Sequence, residues 1–415
     1  MQYFISIIGL AICAATSTEI AAEPGQLLLP DGFEASVVAE NIKGARHLAF
    51  RDNGDLFVST RGNGATGIVA LRMNADRSLQ RMETFGSVIG GTGIRFYRDK
   101  LYATSPTTIY RYSFEGNSLV PSQAPEVIVD GMPGNGFSAR PIAFDHRARI
   151  YVGIGGVSNT CVDQNAPKDA PPAGLTPCPD LRGRAGIWRF DTARKGQTFA
   201  NDGQQIATGI RDVDALDWRG RDGLFAVVHD RNGLSRTWPK VISPADEQAI
   251  PEEMHRITKG ADLGWPYAYF DSVRGIHVLA PEYGGNGKVE PSSGPYTKPI
   301  VGFPGHSSPL DLTFYNGRQF PKSYRGGAFV VFHGGLGPDL PEGRNGYNVM
   351  FVPFDRRGKP GKPFVFADGF AGSVAANRSI GRANYRPVGA AVSPDGALYV
   401  VDSKAGRIWR ISYKL

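Results

Sequence analysis

One pattern recurs six times along the 415 residues of this chain, and it restricts the fold more than any other feature. It is clearest between Gly134 and Cys161. There Pro141 to Val152 alternates apolar residues, turns at Asp145-His146-Arg147 and runs out through Ile150, Tyr151 and Val152. Two alternating stretches around a polar turn read as a β-hairpin. The hairpin recurs as LAFRDNGDLFV from Leu48, IRFYRDKLYA from Ile94 and LDWRGRDGLFAV from Leu216. It recurs again as LTFYNGRQFPKSYRGGAFVV from Leu312 and AVSPDGALYVV from Ala391. A third strand follows each hairpin: GIVALRM at Gly67, TIYRYSF at Thr108, GIWRFD at Gly186, MHRITKG at Met254, YNVMFVPFD at Tyr347 and GRIWRIS at Gly406. Such a repeat predicts an all-β fold, a six-bladed β-propeller with four-stranded blades, because each sheet can bury its faces only against its neighbours. Length alone would suggest two or three domains. A propeller is one domain however many blades it has, so residues 23–415 are read as one. The ring is expected to close by Phe33 to Ala39 pairing as the outer strand of the blade that holds Ala391 to Ile411.

Residues 1–22 read as a secretory signal peptide. An apolar run from Phe4 to Ala15 precedes Ile20-Ala21-Ala22, a small-residue cleavage site. The run is too short for a persistent spanning helix, so no membrane span is expected after cleavage, and the protein is expected to be periplasmic or secreted. Cleavage removes one acid, Glu19, and no base, leaving 46 Lys and Arg against 38 Asp and Glu, a net +8. The bases are scattered, with no run or stripe, which argues against a nucleic-acid partner. A small polyanionic ligand fits the excess better. Two cysteines remain, Cys161 and Cys178, flanking one loop. In an oxidising compartment such a pair suggests a disulfide rather than two free thiols.

The insertions locate the site. First-hairpin turns are short, whereas the loops after the second strand swell in blades three, four and five: Gly156 to Arg184, His229 to Glu253 and His333 to Asn345. A further long segment, Tyr267 to Ser308, is read as leading into blade five. Long loops on a rigid scaffold carry function, and all of these crowd one face. The residues entering the first strands on that face are His47, Arg140, Arg211 with Asp212, His306 and Arg386. Three arginines converging on one channel mouth suit a ligand with several carboxylates or phosphates.

The segments RAGIWRFD, ATGIRDVDAL, ITKGADLGWPY, LAPEYGG and FYNGRQFPKSYRGGAF, with YRPVGAAVSPDGALYVVDSKAGRIWRI from Tyr385, resemble the glucose/sorbosone dehydrogenase family. The resemblance covers essentially all of the chain beyond residue 22. It implies a secreted six-bladed propeller that oxidises a sugar or aldehyde with pyrroloquinoline quinone and Ca²⁺, passing electrons to a periplasmic acceptor. The quinone is a flat tricarboxylate, which gives Arg211, Arg386 and Arg140 a ligand to bind. The resemblance also implies a Ca²⁺ held by the blade-four loop, around Asp230, Glu252 and Glu253, where it would act as a Lewis acid.

This sequence departs from the family pattern in three places. Position 212 is Asp where Asn is usual. The blade-five loop reads His333-Gly334-Gly335-Leu336 where relatives carry Ser, Trp, Asn and Arg after His-Gly. The segment Asn135 to Arg140 lacks the His that removes the substrate's hydroxyl proton in relatives. Asn, Ser and Gly cannot replace a general base near neutral pH. His306 and Asp212 are the candidates for that role, with His47, His229 and His333 also near the mouth. Two other readings stay open: a non-catalytic periplasmic binding propeller, and a Ca²⁺-dependent lactonase using acids such as Asp214, Asp217 and Asp311.

Overall fold

The computed structural model describes residues 26–62, 65–163, 172–335, 346–372 and 378–414. The signal segment 1–22 and most of the blade-five loop, 336–345, lie outside the described residues. Six sheets stand in a ring. Each inner hairpin coincides with a repeat: Ala45–Phe50 with Leu56–Gly62, Ile94–Tyr97 with Lys100–Thr104, and Ile142–Phe144 with Arg149–Ile154. The others are Asp212–Arg219 with Gly223–His229, Pro309–Phe314 with Ala328–Phe332, and Pro387–Val392 with Leu398–Asp402. Third and outer strands complete four strands per blade. Blades two and three each gain a short parallel fifth strand, Gln197–Thr198 and Ala261–Asp262, donated by the following blade.

Closure is as expected. Phe33–Ala39 pairs antiparallel with Ile408–Tyr413, from Phe33 opposite Tyr413 to Ala39 opposite Ile408. Pairing the first strand with the last blade ties the two ends of the chain together and closes the ring.

The core is divided as the repeat demands. Six apolar clusters fill the six blade junctions, with Phe57, Phe225 and Phe329 among the side chains fully withdrawn from water. Each large apolar side chain buried this way contributes about 1.5–3 kcal/mol. The FYNGRQFPKSYRGGAF motif is part of this packing. Tyr315 stacks on Phe320 at 4.5 Å, and its hydroxyl donates to the Gly396 carbonyl at 2.8 Å.

One expectation is corrected. The long segment ending near Ser308 does not lead into blade five; it is inserted within blade four, between its third strand Glu252–Ile257 and its outer strand Val301–Phe303. It climbs beside blade three through Ala261–Asp262, forms a hairpin at Ala268–Asp271 and Ile276–Leu279, and packs on the long-loop face.

Candidate functional site

The channel has a floor. Arg95, on the inner strand of blade two, reaches across the axis to blade five, donating to Asp311 Oδ1 at 3.3 Å and the Leu312 carbonyl at 3.0 Å. Asp311 Oδ2 accepts from the Ala390 amide of blade six, and Asp217 of blade four accepts from the Phe314 amide. His47 Nε2 bonds the Leu310 carbonyl at 2.7 Å. His47 is therefore a strut between blades one and five rather than a group facing the mouth. Asp217 and Asp311 are likewise tied down at this level, and among the described residues Asp214 gathers with Asp212 and His229 instead.

Above the floor the chain is built differently. The inner strands of blades one, four, five and six each shift register at their long-loop end, between Ala45 and Leu48, Val213 and Ala215, Pro309 and Asp311, and Pro387 and Gly389. A bulge frees its extra residue from the ladder and re-aims it. In blade four that residue is Asp214, while Asp212 lies opposite His229 on the neighbouring strand. Asp212, Asp214 and His229 gather so that their ligand-type atoms all lie within 4.8 Å of one another. His229 Nε2 is 3.7 Å from Asp214 Oδ2, too far for a hydrogen bond. Among the described residues, His229 Nε2 and Asp214 Oδ1 are buried without a partner.

Burial pushes the Asp212 carboxyl up to about 6, against the pull of Arg211, Arg140 and Arg61. Burial and the adjacent Asp212 carry Asp214 well above the usual carboxylate range. Burial, then the charge of Arg211, pushes His229 down to about 3, and the Pro309 carbonyl holds its ring. A dication here would sit among three guanidiniums. The cluster is suited instead to exchanging protons.

The guanidiniums form the rim. Arg211 is 6% exposed, donates through Nε to Asn159 Oδ1 at 2.8 Å and lies 4.8 Å over the Phe137 ring. Gly155 permits this approach, since a Cβ there would stand 2.5 Å from Phe137 Cβ and 3.1 Å from Asp212 Oδ1. Arg386 bonds the Gly334 and His333 carbonyls beside the Tyr347 ring. Arg46 and Arg61 of blade one complete the rim, and sequence reading missed both. Burial lowers the Arg46 pKa, and the charges of Arg61 and Arg386 lower it further. The signal available in the sequence was position: Arg61 is the last residue but one of a second strand, close to where His229 ends another, and Arg46 immediately precedes His47.

Arg140 does not belong to this rim. It is 1% exposed, at a φ of 62°, and its guanidinium is bound by the carbonyls of Pro106, Phe137 and Pro133. It staples the segment before blade three.

A cavity of about 540 Å³ opens next to the mouth, between the blade-four loop and the start of blade five. His229, Asp230, Glu252 and His306 all line it. Glu252 accepts from the Asp230 and Ser308 amides at 3.2 and 3.0 Å. Glu253 turns inward to His255 Nε2 at 2.6 Å. Burial raises Glu252 to about 7 and Glu253 to about 8, and burial with the charge of Glu253 raises Asp230 well above its ordinary value. The three acids expected from the sequence thus do come together. His306 lies apart from the Asp212 cluster, on the far side of this cavity, with Nε2 3.6 Å from Glu247 Oε1.

The insertions lock onto one another around these groups. Cys161 and Cys178 form a disulfide. Trp265 Nε1 donates to the Asn159 carbonyl at 3.1 Å, the Tyr267 hydroxyl accepts from the Cys178 amide at 3.0 Å, and Arg231 pairs with Glu282. Among the described residues no helix is long and apolar enough to cross a membrane.

A family model described as TrAA12-like matches residues 27–414. Among curated proteins, an uncharacterized protein of Borreliella burgdorferi is 23% identical over 419 residues, covering 96% of this chain and 94% of that one. Among solved structures, the calcium structure of a Trichoderma reesei protein of carbohydrate-active enzymes family AA12 superposes with a TM-score of 0.73 at 17% identity, over 96% of this chain and 99% of that one. The holo pyranose dehydrogenase PQQ domain of Coprinopsis cinerea gives 0.71 at 18% identity, over 95% and 99%. The apo soluble aldose sugar dehydrogenase of Escherichia coli gives 0.59 at 14%, over 92% and 99%. At such identities these structures speak to the fold, which they share.

Proposed function

The chain belongs to the TrAA12-like family, and from that premise we propose that it is a sugar oxidoreductase using pyrroloquinoline quinone and Ca²⁺. Its substrate is a sugar or aldehyde, and its electrons pass to an acceptor in the periplasm or outside the cell. The observation that carries this reading is the surplus of positive charge at the mouth. Arg46 and Arg61 from blade one, Arg211 from blade four and Arg386 from blade six surround the space, and burial with the charges of Arg61 and Arg386 lowers the pKa of Arg46. Guanidiniums gathered at a channel mouth raise the local concentration of anions, and a flat tricarboxylate would meet them through bidentate contacts. The residues that would hold it are these four.

Asp230, Glu252 and Glu253 fit the ion. They form a hard, all-oxygen donor set of the kind Ca²⁺ takes, and burial pushes each toward its protonated form, which a bound cation would oppose. Held there, the quinone would supply a hydride acceptor and the ion a Lewis acid. The chain's own contribution is the proton. His229, held neutral by burial and the charge of Arg211, presents an unpartnered Nε2 to the mouth with Asp212 and Asp214 gathered beside it, and this cluster is the group that would take up the substrate's hydroxyl proton. This group answers the absence of a His before blade three, and with Asp212 it replaces His306 as the centre of proton transfer.

The test is to add the quinone with Ca²⁺ to purified protein, following quinone absorbance and then dye reduction with a panel of aldoses and aldehydes. A saturable spectral change followed by sugar-dependent dye reduction is expected. Ca²⁺ alone, at a hundred times its Kd, should add about 2.7 kcal/mol to stability and raise Tm by several degrees. Absence of any quinone binding overturns the oxidoreductase reading. Binding without turnover of any sugar or aldehyde would make the protein a binding propeller.

A further inference from the structure

One long sheet edge is left open on the side of the ring. The outer strand of blade one, Leu79–Phe85, ends the strand order of its sheet, and among the described residues no strand pairs with its outer side. The other blades treat this edge differently. Blades two and three cover theirs with the parallel strands Gln197–Thr198 and Ala261–Asp262. Blades four and five end in strands of three and four residues, Val301–Phe303 and Phe364–Ala367. Blade six ends in Phe33–Ala39, whose last two residues are buried and whose single charged residue is Glu34. Short or covered edges keep one sheet from joining another. Leu79–Phe85 is seven residues long and uncovered.

Its sequence, LQRMETF, is balanced about Met82. Arg81 mirrors Glu83, Gln80 mirrors Thr84 and Leu79 mirrors Phe85. Charged side chains on an edge ordinarily prevent joining, but their order here favours it in one register. An antiparallel pair with a second copy, Met82 opposite Met82, sets Arg81 opposite Glu83 twice by symmetry. Centring the pair on Arg81 or on Glu83 instead sets like charges face to face. Unlike charges directly across strands attract and like charges destabilise, so the register about Met82 is selected. The pleat agrees with it. Arg81 and Glu83 stand opposite Arg72 and Ala70 of the adjoining strand, on one face, while Met82 stands opposite Leu71 on the other. Arg72 is already paired with Asp55, and the counter-ion of Arg81 is Glu83 on its own strand, 2.5 Å away. A second copy would bring a carboxylate to the open side of Arg81. It would also cover Met82 and Leu79, which are 53% and 41% exposed.

We propose that the outer strand of blade one joins two copies of this chain edge to edge, in an antiparallel pair centred on Met82 with Arg81 and Glu83 matched across a two-fold axis. A bulge at Gln80 confines regular pairing to the residues around Met82. The contact is therefore small, and the dimer is weak, with a Kd of roughly 10–100 μM. An outer strand lies on the circumference of the ring, so both channel mouths stay open. The inference is independent of what the mouth binds.

The experiment is sedimentation velocity of the purified protein over a concentration series, with Arg81→Glu, Glu83→Arg, the double swap and Met82→Lys. Arg81 and Met82 are exposed, and melting curves confirm that each variant folds. Wild type should dimerise with rising concentration. Arg81→Glu and Glu83→Arg each place like charges at two symmetric positions and should weaken self-association by roughly tenfold or more. Met82→Lys sets two ammoniums together at the axis and should do the same. The double swap restores unlike pairs and should dimerise as wild type does. An equimolar mixture of Arg81→Glu with Glu83→Arg should form a heterodimer, because two acidic positions of one chain then face two basic positions of the other. A wild type that stays monomeric throughout, single variants that dimerise as wild type does, or a mixture that stays monomeric each overturn the proposal.

Discussion

The two ends of the central channel hold similar residues in opposite states. At the floor, Arg95 crosses the axis to Asp311, and Asp311 and Asp217 accept amides from blades five and six. At the mouth, Arg46, Arg61, Arg211 and Arg386 outnumber Asp212 and Asp214, and polar atoms of His229 and Asp214 are left unpartnered. The physical difference is whether the chain answers its own buried charge. A charge matched within the chain holds blades together; one left unmatched raises the energy of the free protein and lowers it again when a ligand arrives. The same fold uses one end as a clasp and the other as a receptor.

Breaking the floor should have the largest effect. Asp311→Ala leaves the half-buried Arg95 without its partner and the buried Ala390 amide unpaired, and losing partners of this kind costs about 1–3 kcal/mol each. Urea unfolding should show that loss, whereas Arg386→Ala at the mouth should change stability by less than half as much. Equal losses would erase the distinction between clasp and receptor.

The next effect is on binding. A charge-assisted hydrogen bond is worth about 1.5–3 kcal/mol, so Arg211→Ala and Arg386→Ala should each weaken quinone binding by roughly ten- to a hundredfold. Lysine at either position should recover only part, lacking the planar two-point contact. Arg140→Ala should lower stability through the carbonyls it leaves unpaired. A large loss of quinone affinity at unchanged stability would return Arg140 to the rim.

The smallest effect is that of pH. Asp212 titrates near 6, because burial outweighs its cationic neighbours. Acidification through that value removes a negative charge from the mouth, and anion binding should tighten by roughly fivefold, about 1 kcal/mol for a charge acting through partly screened surroundings. Asp212→Asn should abolish this dependence. In the free protein a raised carboxyl favours folding below its unfolded value, about 3.9, and that contribution is lost as pH rises through 6. Wild type should therefore lose stability over that range, and Asp212→Asn should lose less. A flat binding profile in wild type would place Asp212 away from the ligand.

How legible the chain is depends on the range over which a signal acts. Strand pairing and hairpin turns are local, so LAFRDNGDLFV and its five counterparts announce six blades, and the apolar residue at every second position already assigns each junction its core. Phe33–Ala39 could be placed because closure leaves only one partner for it. Cys161 and Cys178 were likewise legible, as was the approach of Asp230, Glu252 and Glu253, which one hairpin holds together.

The errors arise where a side chain's role depends on what crosses the axis to meet it. Arg140, Arg211 and Arg386 look alike in sequence; tertiary structure alone binds Arg140 to the Pro106, Pro133 and Phe137 carbonyls and sets Arg211 against Asn159 and Phe137 and Arg386 against the start of the blade-five loop. His47 and His306 both enter inner strands, yet one braces blade five while the other faces a cavity. Arg61 and His229 gain importance only because bulges and strand ends from different blades reach the same ring level. Periodicity along the chain determined the architecture, since backbone pairing repeats locally; the balance of charge at each end was decided by contacts between residues hundreds of positions apart, such as Arg95 and Asp311, 216 apart.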